Sequence, residues 1–211
     1  MRVLLALALA TCALCPGTTA FATTVELDAV SVVNGSPLFV DDFDTGLLDS
    51  PPWAVLSGTP GPEAGTALQM HGGDYIATWF GVDPSMDVTT TAVLNLADFP
   101  AGSSVSLLLF GAADDYLSLS VVKDPDLAIL SYGISPLAAI PFTDSAVALT
   151  LKNGADGTVT ASTTMDTVFN GPFPFGPVTG AGILVVPEPA TLVLLGTGAS
   201  LLSLRRTRRR R

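Results

Sequence analysis

The chain has 211 residues, 48% of them hydrophobic and only 13% charged, with a formal net charge of −10 and two cysteines. An acidic balance of this kind excludes nucleic acid and anionic lipid as partners for the bulk of the chain, because like charges repel. Two cysteines exclude a disulfide-dense scaffold. The charges are also segregated. Arg2 opens the chain and six arginines fill its last seven positions, so residues 23–186 hold 18 acidic side chains against Lys123 and Lys152 alone, a net −16.

Taken in order, the first element is a leader. Met1-Arg2 supplies a positive start, residues 3–10 an apolar run, and Ala20-Phe21-Ala22 a small-x-small cleavage site. That pattern predicts a signal peptide over residues 1–22. Leu9-Ala10-Thr11-Cys12 loosely matches a lipobox, but Thr precedes the cysteine and only 11 residues lie upstream. Cleavage after Ala22 is therefore the expectation. Cys12 and Cys15 both leave with the leader, so their Cys-x-x-Cys spacing marks neither a redox centre nor a zinc site.

Residues 23–186 suit one domain, able to bury roughly two-thirds of its unfolded surface. They predict strand after strand. Residues 24–33 alternate loosely and turn at Asn34-Gly35-Ser36-Pro37. Short apolar runs follow at 38–40, 53–56, 67–70 and 75–80, separated by breaker clusters such as residues 57–62 and His71-Gly72-Gly73-Asp74. Residues 88–96 are rich in Thr and Val, as a half-exposed strand should be. Runs 105–110 and 116–122 flank Gly111-Ala112-Ala113-Asp114-Asp115, a hairpin signal. Runs 127–132, 146–152 and 158–163 come next, the last two joined by Asn153-Gly154-Ala155-Asp156-Gly157. A final strand is expected over 176–186. Alternation is clearest at Leu117-Ser118-Leu119-Ser120-Val121 and Val147-Ala148-Leu149-Thr150-Leu151. No window shows a capped helical stripe, and the regular spacing of strands predicts an all-β sandwich.

The stretch 38–46 (Leu-Phe-Val-Asp-Asp-Phe-Asp-Thr-Gly), followed by Trp53-Ala54-Val55-Leu56-Ser57-Gly58, resembles the opening of laminin-G-like, concanavalin-type jelly rolls. Residues 147–161 are similar to their back-sheet hairpin. The resemblance implies a single jelly-roll-like sandwich. Such folds also host retaining glucanases with a Glu-x-Asp-x-x-Glu strand, whose two glutamates are nucleophile and acid. Here Glu26-Leu27-Asp28 is the nearest match, and Ser31 stands where the second Glu belongs. Only Glu26 and Glu63 occur between residues 23 and 186, and His71 is the single histidine. A glycoside hydrolase or a Ser-His-Asp enzyme is therefore not expected.

Two binding chemistries remain. Asp41, Asp42 and Asp44, followed by Gly46, place three carboxylates within four residues and are the candidate calcium ligands, against the plainer reading of an acidic loop. No other cofactor is expected. Trp53, Tyr75, Trp79, Tyr116 and Tyr132 would stack on a sugar ring if several shared one exposed face, although most aromatics in a sandwich pack its core.

The chain ends in three parts: Pro187-Glu188-Pro189, an uncharged apolar segment over residues 190–204, and Arg205, Arg206, Arg208, Arg209, Arg210 and Arg211 around Thr207. The prolines exclude a helix interior and leave Glu188 in extended, accessible backbone. As a helix, the 15 apolar residues reach roughly 22 Å, short of the roughly 30 Å hydrocarbon core, a gap that snorkelling arginines narrow. A dense arginine cluster stays cytoplasmic, so the body points outward. The segment has no polar face, which argues against a buried core helix.

This order of motif, apolar span and arginines resembles the PEP-CTERM sorting signal of Gram-negative bacteria, read by an exosortase. The resemblance covers the C-terminal 26 residues. It implies that Pro187, Glu188 and Pro189 are recognition residues, that the tail crosses the inner membrane transiently before processing, and that the protein works at the cell surface or in the extracellular matrix beside exopolysaccharide or biofilm. The sequence thus predicts a non-catalytic exported protein, with a carbohydrate-binding module as the alternative.

Overall fold

The computed structural model describes residues 24–43, 53–62, 67–112 and 115–187. The expected leader with Ala20 and Ala22, the third aspartate Asp44, and the tail from Glu188 through the apolar helix and arginines lie outside the described residues. Among those described there is no α-helix, and none long and apolar enough to cross a membrane.

Among the described residues, fifteen strands form two antiparallel sheets. They are β1 (Thr24–Asn34), β2 (Ser36–Asp41), β3 (Ala54–Ser57), β4 (Gly61–Pro62), β5 (Leu68–His71), β6 (Tyr75–Trp79), β7 (Val88–Asn95), β8 (Ser104–Phe110), β9 (Tyr116–Val122), β10 (Leu127–Tyr132), β11 (Ser135–Pro141), β12 (Ala146–Asn153), β13 (Thr158–Ser162), β14 (Thr167–Pro172) and β15 (Gly180–Val186). The eight-stranded sheet runs β14-β13-β12-β7-β1-β5-β4, with β2 also paired to β1. The seven-stranded sheet runs β11-β10-β9-β8-β15-β6-β3. This is the expected all-β sandwich, and two such antiparallel sheets are compatible with a jelly roll.

Period-two alternation explains the packing. Val25, Leu27, Val30 and Val32 of β1 meet Leu107 and Leu109 of β8, Leu117 and Leu119 of β9, and Leu149 and Leu151 of β12 in one core. β1 keeps its apolar side inward across a bulge: Leu27 pairs Leu94, Ala29 pairs Val93, and Asp28 is the extra, exposed residue. The turns form where turn residues stand. Gly35 (φ +70°) closes β1–β2 and Gly157 (φ +79°) closes β12–β13, both in the left-handed region that favours glycine.

Several elements depart from the sequence expectation, among them β4 inside the breaker cluster 57–62 and β2 beginning within the turn at 34–37. β11 and β14 lie at the sheet edges and carry Pro136, Pro141 and Pro172, residues an edge strand tolerates because one side of its backbone is unpaired. The last strand starts at Gly180 rather than 176. Before it, Phe175 and Val178 drop into the core from an irregular segment, and Thr179 donates its N–H to Phe110 O at 2.8 Å.

β15 occupies the middle of its sheet, pairing β8 on one side and β6 on the other. It runs to the end of the sandwich where β1 begins. Thr24 pairs His71, and the turn after His71 is bonded to Val185.

Candidate functional site

The junction between sandwich and tail has no slack. Val186 is paired to Ser104, and Pro187 follows at once. Val185 donates its N–H to Asp74 O at 3.0 Å and accepts from Gly73 N–H at 2.8 Å. Asp74 holds this corner. Its buried carboxylate accepts from the N–H of His71 at 2.6 Å and of Thr59 at 2.9 Å, while His71 Nδ1 lies 3.4 Å from Oδ2. The lone histidine is therefore the last residue of β5 and a partner of Asp74.

The aspartate cluster divides. Asp41 points inward: Oδ2 accepts from the Trp53 indole N–H at 2.7 Å and Oδ1 from the Phe43 N–H at 3.1 Å. Phe43 and Trp53 are themselves buried, with ring centroids 6.2 Å apart. Asp42 is exposed. Among the described residues, no three His, Cys, Asp or Glu side chains are placed to share a cation. On β1, Glu26 accepts from Asn95 Nδ2 at 2.6 Å, and the loss of some water around the otherwise exposed Asp28, then the Glu26 charge, push its carboxyl up.

The aromatics divide as well. Trp53 belongs to the core, and Tyr132 packs edge-on against Phe173 and Phe175. Tyr75, Trp79 and Tyr116 share the outer face of the seven-stranded sheet, opposite the core-facing Ile76, Ala181, Leu109 and Leu117. The register sets Trp79, Gly180, Phe110 and Tyr116 in one row across β6, β15, β8 and β9. Trp79 and Phe110 stand two strands apart, yet their rings stack at 6.4 Å and 20° because Gly180 between them has no side chain. A Cβ there would lie 2.5 Å from Thr78 O, 3.1 Å from the Trp79 ring and 3.2 Å from the Phe110 ring. Gly182 likewise lies under Phe110, with a would-be Cβ 3.1 Å from Cζ.

Trp79 remains 57% exposed. Further along the face the Ser106 and Ser120 hydroxyls bond each other at 2.7 Å, and Ser118 lies between that row and Tyr116. Burial, then the neighbouring Tyr116, push the Tyr75 hydroxyl up to about 12, so it remains a donor at any physiological pH. Phe110 is the member that sequence reasoning misses. Its signal is the pair of glycines at 180 and 182, legible only once β15 is known to lie beside β8.

The fold and its junction define an all-β sandwich with a sorting tail. The family model of the PEP-CTERM protein-sorting motif matches residues 185–211. The chain carries that motif, which implies processing by an exosortase-type system, with export and membrane-associated sorting. The matched segment begins inside β15, sharing Val185 and Val186 with it. No curated protein and no solved structure matches the chain.

Proposed function

We propose that this chain is a non-catalytic protein of the cell surface or extracellular matrix, delivered by an exosortase-type system and working beside exopolysaccharide or biofilm. The observation that carries the reading is the sorting motif joined without a linker to the central strand of an acidic sandwich. A non-catalytic role is supported by how the few candidate groups are used: Glu26 is bonded to Asn95, and His71 sits beside Asp74. The test is the fate of the chain in an exosortase-bearing host and in the same host lacking that enzyme. Intact mass should show trimming near Ala22 and near Pro189 in the first, and a retained tail in the inner membrane in the second. Surface protein still ending at Arg211 would refute the reading.

A second reading, a carbohydrate-binding module, is favoured by the exposed Trp79–Phe110 stack on the outer sheet face. Retention of the protein by immobilised exopolysaccharide from its host tests it.

A further inference from the structure

Resting on the carbohydrate-binding reading, we propose that the outer face of the seven-stranded sheet binds a neutral polysaccharide, stacking a sugar ring on Trp79 beside Phe110 and bonding its hydroxyls to the half-buried Tyr116 and Ser120, without a metal ion.

Three observations carry this. The first is charge. All seven strands of this sheet, β3, β6, β8, β9, β10, β11 and β15, lack Asp, Glu, Lys, Arg and His, in a body that carries net −16. An anionic polymer finds no cation on this face and a repulsive body around it. The two lysines of the body are engaged elsewhere, Lys123 with Asp126 at 3.2 Å and Lys152 with Asp87 at 2.5 Å.

The second is construction. Glycine in the middle of a central strand weakens it, through chain entropy and lost packing. β15 nevertheless places glycines at 180 and 182, and both lie against Phe110, which stacks on Trp79. The stack is thus built into the sheet rather than an accident of a mobile side chain. An indole exposed on one side and held on the other presents a flat apolar surface, which matches the C–H face of a pyranose ring.

The third is the border of that surface. A sugar ring carries hydroxyls around its rim, and the rows beside the stack supply half-buried hydroxyls able to donate and accept, those of Tyr116, Tyr75 and Ser120, with Ser106 and Ser118 buried beneath them. Aromatic platform, hydroxyl border and absent charge all point to one ligand class.

The test is affinity electrophoresis of the full-length chain in native gels containing hydroxyethyl cellulose, a galactomannan or alginate. Retardation is expected in at least one of the neutral gels and absent in alginate. It should be unchanged by EDTA and by 0.5 M sodium chloride, about the level at which surface charge effects are screened. Trp79→Ala should weaken it by roughly tenfold or more, and Trp79→Phe by less. Lys152→Ala, on the other sheet, should leave it intact, and melting curves confirm that each variant is folded. No retardation in either neutral gel, or retardation by alginate alone, overturns the proposal. So does neutral-gel binding that survives Trp79→Ala, which leaves carbohydrate binding standing but moves the site. Binding lost with EDTA overturns the metal-free mode.

Discussion

Asp41 shows how a residue type can point to one chemistry and its position to another. Three nearby aspartates suggest a cation, but the first caps a buried indole and a backbone N–H. Removing it leaves two donors unpaired inside the core, so Asp41→Ala should cost about 2–4 kcal/mol in chemical denaturation. Asp41→Asn keeps an acceptor for the Trp53 indole and should cost less than half of that. Thr90 gives the opposite case. Its side chain is fully buried and its hydroxyl has no partner among the described residues. Thr90→Val keeps the shape and removes the unpaired group, and should raise stability by about 1 kcal/mol. A decrease in the denaturation midpoint would refute this.

At the scale of elements, the corner joining β7 to the β12–β13 turn responds to pH. The bond from Lys152, then that from the Ala155 N–H, hold the Asp87 carboxyl below its ordinary range. Asp156 is held down in the same turn by the Thr158 hydroxyl and N–H. A carboxyl depressed by folding stabilises the fold above its unfolded pKa, about 3.9, and that contribution fades as pH falls through the lower folded value. Melting temperature should therefore drop below about pH 4, less steeply in Asp87→Asn. Asp28 has the reverse sign, its folded carboxyl being pushed up. Asp28→Asn should help slightly at neutral pH, with the gain vanishing in acid as the native Asp28 takes up a proton.

The strands that can be read from sequence are those whose burial alternates. Val147, Leu149 and Leu151 of β12 are buried on every second residue, and in β9 the apolar Leu117, Leu119 and Val121 alternate with serines, of which Ser118 is buried as well. β11 and β14 are illegible because an edge strand with one neighbour needs no such pattern, and their prolines read as breakers. β15 is half legible: Ile183 and Val185 signal a buried strand, whereas Gly180-Ala181-Gly182 reads as a loop. Of the aromatic face, the sequence offers Tyr75, Trp79 and Tyr116 as stacking candidates but not their arrangement. Phe110 and Tyr116 meet in the local β8–β9 hairpin, but Trp79 joins them only through pairing across β15, which nothing local records.

For the whole molecule, separation of charge by region is the feature that sequence shows most directly. Acid lies in the body, arginine in the tail, and the seven-stranded sheet is uncharged throughout. The turn at Asp74 also ties both described ends of the body, Thr24 through its pairing with His71 and Val185 through Gly73 and Asp74. The last described strand ends at Val186, so melting of a chain ending at Pro189 should match that of the full chain within about 2 °C. A chain ending at Thr179 lacks β15, which divides its sheet into β3–β6 and β8–β11, and should show no cooperative transition. A cooperative melt for that shorter chain would refute the role given to β15.

The position of β15 bears on the fidelity of synthesis. It is made after every other described strand, and the address begins within it. A premature stop or a frameshift anywhere upstream thus removes the central strand and the sorting motif together. No shortened product can keep the address and lack the closing strand. Each chain that displays the motif in its natural frame has been read through β15, so selection for the address is also selection for that strand.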